Sequence, residues 1–431
     1  MSRGGARLLQ RSPYVTLAEK LGGSHRAARS NGKAPGAAAA LNLVPAPLDL
    51  KGRAQAVASV AADFADSVDS EARFPSEALA AAKAQRLLGI LVPANLGGEG
   101  ASVTDVVETC YTLGRACAST GMIYAMHQIM VACLTRHALG STWHRAFLRA
   151  LCSEQLLLAS STTDGQGGGD LRKSDCAVDA AGDRFTLVKN ATVMSYGAQA
   201  DAIVATARRS PDAPATDQVL VAIVKEDYRL EHQVDWDTLG MRGTCSSGFK
   251  LEARGALEQI LPEPYHKIHT QTVMAVANLT WSAVWAGIAA AAVDRARAFV
   301  RGAARKSGGQ MPPGAAHLTR ANVTLSTLRG SIASALQHYE SILSDADALA
   351  GLEFQTRLNL HKVTASELAT AVVASTLQAD GLSGYRNDGE FSITRHLRDV
   401  LSSSIMINND RILANSASAA LLVDVAPALT G

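Results

Sequence analysis

The run Leu156-Leu157-Leu158-Ala159-Ser160-Ser161, continued by Thr162-Thr163-Asp164 and the glycine-rich Gly165-Gln166-Gly167-Gly168-Gly169-Asp170, marks the point where the chain changes period. Before it, residues 50 to about 155 read as helices. The stretch 54–68 is Ala-rich and amphipathic, Pro75-Ser76-Glu77 opens a second helix, and further helices are expected over 103–117, 119–139 and 143–151. After it, Phe185-Thr186-Leu187-Val188, Ala202-Ile203-Val204-Ala205-Thr206, the run 219–224 and the alternating Phe249-Lys250-Leu251-Glu252 have strand length and are bounded by turn residues. From about 270 the pattern is helical again, over 318–345, 352–377 and 393–418. The uncharged stretch 273–293 is long enough to span a bilayer, but its bulk is Ala and Asn278, Thr280 and Ser282 interrupt it. A buried bundle helix, with Trp281 and Trp285 on one face, is the better reading. Helices, then strands, then helices in separate blocks predict an α+β fold rather than alternating βαβ units. The predicted divisions are 1–48, a disordered or leader segment; 49–155, helical; 156–269, a β domain; and 270–431, helical.

Composition narrows the function. The 431 residues are 47% hydrophobic and 19% charged, which is the profile of a chain that buries a core. Lys and Arg total 41 against 39 Asp and Glu, so no overall basic footprint for nucleic acid exists, and 5% aromatics provide few stacking platforms for bases. Cys110, Cys117, Cys133, Cys152, Cys176 and Cys245 show no CxxC spacing; they predict core packing, no metal site and a reducing compartment. Residues 1–48 carry seven Lys and Arg against the single acid Glu19. Such a leader is either a disordered extension of a cytoplasmic protein or a mitochondrial transit peptide. Walker and GxGxxG phosphate loops are absent from the sequence.

Three stretches, in order within this frame, resemble the acyl-CoA dehydrogenase family of flavoproteins, which also contains flavin-dependent monooxygenases. The first is the quoted 159–170, similar to a strand ending in Thr-Glu-Pro-Gly-Ala-Gly-Ser-Asp. The second is Asp237-Thr238-Leu239-Gly240-Met241-Arg242-Gly243-Thr244-Cys245-Ser246, similar to Leu-Gly-Met-Arg-Gly-Thr-x-Ser. The third is Gln378-Ala379-Asp380-Gly381-Leu382-Ser383-Gly384-Tyr385 followed by Arg398-Asp399, similar to Gln-x-x-Gly-Gly-x-Gly and Arg-Asp. The resemblance covers about residues 50–430. It implies a helical N-terminal domain, a central β-barrel-like domain, a C-terminal four-helix bundle, FAD between the last two, and a homodimer or homotetramer. Carried over by position, Thr163 meets the flavin ring, Gly168 and Gly169 lie near the pyrophosphate, and Arg305 reaches a neighbouring subunit's pyrophosphate. Gln378, Gly381 and Gly384 hold the adenosine half. Close backbone approach by glycine and a planar guanidinium both suit a pyrophosphate. Taken alone, the glycines read as a flexible turn and Arg305 as a solvated helix end. Ser195 or Tyr196 faces the flavin, according to a one-residue register choice.

The sequence departs from the family at the base that takes the α proton of an acyl thioester. Alignment on Arg398-Asp399 puts Ile407 where one family Glu stands, and alignment on Ala286-Gly287 puts Ala277 at the other. Three readings follow. The leading one is dehydrogenation of an acyl-CoA or acyl-carrier-protein thioester with a base from an unfamiliar place, Asp410, Asp380 and Glu390 being the nearby carboxylates. The second is a monooxygenase fed with reduced flavin by a reductase; many such enzymes have a His after the Arg-Asp, whereas here His396 precedes it and His127 is either a pocket or a core residue. The third is a non-catalytic flavin-binding protein.

Overall fold

The computed structural model describes residues 49–164, 173–419 and 421–422. Helix α1 (Leu50–Ser70) follows from its spacing, because Ala54, Val57, Ala58, Ala61, Ala65 and Val68 recur every three or four residues and share one buried face. After α2 (Ser76–Ala84), α3 (Val103–Ala116) starts at a reciprocal cap: the Ser102 hydroxyl accepts from the Asp105 N–H, and the Asp105 carboxylate accepts from the Ser102 N–H. α4 (Ala118–His137) is buried nearly all round, and α5 (Thr142–Glu154) closes the first helical segment.

Among the described residues seven strands follow: β1 (Leu158–Ser161), β2 (Asp179–Ala181), β3 (Arg184–Ala191), β4 (Ala202–Arg208), β5 (Gln218–Val224), β6 (Tyr228–Val234) and β7 (Gly248–Ala256). Their hydrogen bonding makes two open sheets, β1-β4-β5 and β2-β3-β7-β6, rather than one closed barrel. β1 runs parallel to β4, with Leu158 opposite Ala202; the other pairs are antiparallel. Strand β6 was not expected from sequence. Its residues Tyr-Arg-Leu-Glu-His-Gln-Val form a sheet edge with most side chains exposed, so no clear apolar alternation marks it. The alternation along β3 points Phe185, Leu187, Lys189 and Ala191 inward. Lys189 is thus a buried ammonium, and it meets Asp164 at 2.7 Å while donating to Thr206 O at 2.8 Å. That pair holds the chain just beyond β1.

The uncharged stretch lies in a continuous helical run, Tyr265–Lys306, long and apolar enough to cross a membrane; 94% of its apolar window is buried inside the protein. It contains a π-helical turn, His269–Val273, before α6 (Met274–Lys306). α7 (Ala315–Ser341) and α8 (Leu352–Asp380) pack on α6, and α9 (Thr394–Ile405) packs on both α6 and α8. The helix expected over 393–418 is broken in two. Ile407 takes a left-handed φ of 49°, and the Asn408 side chain accepts from the N–H groups of Asp410 and Arg411 to start α10 (Asn409–Ala419).

The first helical segment is joined to α6 where two glycines face each other's backbone. A Cβ on Gly287 would lie 2.5 Å from Tyr111 O, and one on Gly114 would lie 2.7 Å from Val284 O. Gly287→Ala is therefore expected to destabilise the protein by about 1–3 kcal/mol. Gly302→Ala, in the same helix but with no atom within 4 Å of its added methyl, is expected to stabilise it by about 0.5–1 kcal/mol. Denaturant midpoints at unchanged slope measure both.

Candidate functional site

The second sequence motif is a turn held against helices by its glycines. A Cβ on Gly240 would lie 2.2 Å from Arg398 O, and one on Gly243 would lie 2.2 Å from a Val68 methyl, so the turn touches both α9 and α1. Polar groups lock it there. Asp399 accepts from the Met241 N–H at 2.7 Å, Arg242 donates to Asp69 O at 2.8 Å, and Arg398 pairs with the Asp69 carboxylate. Burial pushes the Asp399 carboxyl up to about 6, partly offset by the N–H it accepts.

Between this turn, the ends of β1 and β3, and helices α4, α6 and α9 lies a cavity of about 740 Å³. Part of the wall carries hydroxyls: Ser160 in β1, Thr162 and Thr163 after it, Thr192 and Ser195 after β3, and Thr244 and Ser246 in the turn. The helices bring mostly soft apolar groups. Met122, Met126 and Met130 project from one face of α4 at spacing four, Val273, Ala277 and Trp281 do the same along the π turn and α6, and Leu401, Ile405 and Met406 line the cavity together with the polar Arg398, Ser402, Asn408 and Arg411. Leu239 and Ile405 are 62% and 73% exposed, so they stand at the mouth.

Backbone strain gathers here. Met241 and Ile407 line the cavity, Tyr196 and Cys245 adjoin lining residues, and all four are non-glycine residues at positive φ. Behind the wall, Lys362 is fully buried, with no carboxylate paired to it among the described residues. Its ammonium donates to Ser403 O at 2.9 Å and Asn409 Oδ1 at 2.7 Å, tying together the two sides of the 406–408 break, and it stands 5.7 Å from the centre of the Trp285 ring. Burial, with the Arg411 charge adding to it, brings this ammonium down to about 8.

The predicted site residues divide clearly. Thr163 and Ser195 both line the cavity. Tyr196 does not: it is buried, and its hydroxyl donates to Leu158 O at 2.9 Å. Gly168 and Gly169 lie outside the described residues. Arg305 sits at the C-terminal end of α6 beside a separate hollow of about 350 Å³ that Arg297, Arg301 and Met311 also line. Gln378 and Gly381 are exposed and Gly384 buried at the end of α8, none of them at the cavity. Ala277 and Ile407 are both on the cavity wall; Asp380, Glu390, Asp410 and His396 are not. His127 belongs to the core. Leu158 N–H donates to its Nδ1 at 3.0 Å, so Nε2 carries the proton given to Leu88 O at 2.8 Å, and burial lowers this neutral ring to about 4. The six cysteines are free thiols, five of them buried.

Residues the sequence did not single out form much of the wall. The α4 methionines carried a helical spacing that could have shown them on one face, but nothing indicated that this face borders a cavity. Asp164 is the one carboxylate on the wall among the described residues, and it is committed to Lys189 and to the Asp175 N–H at 2.8 Å.

Residues 51–155 match the acyl-CoA dehydrogenase N-terminal domain and residues 279–405 the acyl-CoA dehydrogenase C-terminal domain. The probable acyl-CoA dehydrogenase YngJ of Bacillus subtilis is 24% identical over 342 residues, covering 78% of this chain and 87% of its own length. L-evernosamine nitrososynthase of a Micromonospora species is 29% identical over 385 residues, covering 84% and 88%. The crystal structure of FMN-bound TdsC from Paenibacillus sp. A11-2 has the same fold, with a TM-score of 0.77 at 16% identity over 89% of this chain and 100% of that one.

Asp380, inside the third motif, supplies a pH test. Both of its carboxylate oxygens are buried without a hydrogen-bond partner among the described residues, and burial raises the group to about 7. The folded state therefore holds a proton that the unfolded chain releases near pH 4. Its contribution is fully present below pH 4 and is lost as pH rises to about 7, beyond which it stays lost. Asp380→Asn is expected to remove this decline. Melting temperatures of the two proteins from pH 4 to 8 should diverge steadily in favour of the variant and then run parallel.

Proposed function

The chain belongs to the acyl-CoA dehydrogenase family, and from that premise we propose that it is a flavin-dependent oxygenase of the family, supplied with reduced flavin by a separate reductase and acting on an apolar substrate. The composition of the cavity wall carries this reading. Dehydrogenation of an acyl thioester requires a carboxylate free to take the α proton. The wall's one carboxylate among the described residues, Asp164, is held in an ion pair, and Ala277 and Ile407 bring only hydrocarbon to the two points where a Glu is expected. Oxygen transfer to an apolar molecule asks for no such base.

The residues present fit a flavin. Thr163 and Ser195 line the space from the strand side, where hydroxyls suit a polar ring edge, and thioethers and Trp281 line it from the helix side. A volume of about 740 Å³ is within the range of cofactor pockets, ~300–1,000 Å³. When bound, a reduced flavin supplies the electron pair with which dioxygen yields one oxygen atom to substrate and one to water. The chain's part is to orient the ring from the hydroxyl wall, seat the substrate against Met122, Met126 and Trp281, and keep bulk water out. Arg305, Gln378, Gly381 and Gly384 stand away from the cavity of their own chain, so the adenosine half of FAD, in this reading, is held by a second protomer, whereas FMN asks for no such partner.

The second reading is dehydrogenation of an acyl thioester, favoured by the domain matches and by relatives such as YngJ. Its base would come from outside the described wall.

The purified protein, loaded with FMN or FAD, separates these readings. Oxygen uptake with reduced flavin and an apolar probe such as indole, with oxygen incorporated into the product, is the expected result. Anaerobic bleaching of bound oxidised flavin by acyl thioesters would overturn it in favour of dehydrogenation. Failure to take up flavin in either redox state would leave a non-catalytic protein.

A further inference from the structure

The hydroxyl wall has a direction. Thr244 Oγ1 lies 2.8 Å from Met241 O, Thr244 Oγ1 and Ser246 Oγ are 2.8 Å apart, and Ser246 Oγ and Ser195 Oγ are 2.8 Å apart. Met241 O can only accept, and it also receives the Trp236 indole N–H at 3.0 Å and the Thr244 N–H at 3.1 Å. Two oxygens at 2.8 Å repel unless a proton lies between them. The Thr244 proton therefore goes to Met241 O, the Ser246 proton to Thr244, and the Ser195 proton to Ser246. Each hydroxyl has one proton, and all three are committed. Ser195 is left facing the cavity with lone pairs only.

We infer that Ser195 is a fixed hydrogen-bond acceptor whose polarity is set by Ser246 and Thr244, and that the cavity therefore holds reduced flavin more tightly than oxidised flavin. Reduction of the isoalloxazine ring adds a proton to a central-ring nitrogen, turning an acceptor into an N–H donor. An acceptor on the wall complements the reduced ring and opposes the oxidised one. To serve the oxidised ring, Ser195 would have to turn its proton inward, reversing the relay and leaving Thr244 Oγ1 against Met241 O with no proton between them. The inference rests on the flavin reading of this cavity and adds to it a preference for one redox state, which suits a protein that receives its flavin already reduced.

Anaerobic equilibrium titration with reduced and with oxidised FMN, and the same with FAD, tests this without turnover. Wild type is expected to bind the reduced form roughly 3- to 10-fold more tightly, the range of one neutral hydrogen bond. Ser246→Ala and Thr244→Val each free the Ser195 proton to point inward, so the ratio should fall towards unity in both. Thr244→Ser keeps the relay and should keep the ratio. Circular dichroism and melting confirm that each variant is folded. Flavin binding with an unchanged ratio in both Ser246→Ala and Thr244→Val would overturn the relay and leave the flavin reading standing. No binding of either redox form by folded wild type would overturn both.

Discussion

The molecule depends on the seating of one tight turn. Residues 237–246 leave the strands and lie directly on the backbone of α9, an approach possible only because Gly240 has no side chain. Asp399 then reaches back to the Met241 N–H, while Arg398 and Arg242 both engage Asp69 at the end of α1. The last helical segment, the strands and the first helix are thereby joined at one point. The cavity is the space bounded by that junction, and its two walls keep their spacing because the turn cannot slide.

Strain and buried charge cluster around the same place. Ile407, a β-branched residue at positive φ, interrupts what would otherwise be a single helix, and buried Lys362 holds both ends of the interruption. An unpaired buried ammonium costs free energy, and its protonated form is retained by two oxygen acceptors and an indole face. The effect is to hold the segment 406–408 open towards the cavity instead of letting it continue as helix.

Much of this was legible in the sequence. The order of helices, strands and helices, the boundaries of most elements and the burial of the apolar stretch inside the protein follow from periodicity and composition. Thr163, which its motif singles out, lines the cavity. Other features depend on tertiary contacts that one-dimensional patterns do not carry. Ser195 and Tyr196 exchange faces with a one-residue shift, and what decides between them is the Tyr196 hydroxyl finding Leu158 O across the sheet. Edge strand β6 lacks an apolar face to announce it, and two open sheets instead of a barrel is a matter of which strand ends hydrogen-bond. The break at Ile407 has no Gly or Pro to signal it; it becomes intelligible only once Asn408 is seen capping α10 and Lys362 is seen binding Asn409.

Five of the nine methionines, Met122, Met126, Met130, Met241 and Met406, line one cavity. Unbranched thioethers adapt their outline, so the enclosure discriminates among guests by bulk and polarity more than by contour. They are also the side chains there most easily converted to sulfoxides. Sulfoxide formation replaces this yielding, hydrocarbon-like surface with a polar one, so an oxidised lining holds greasy molecules less well.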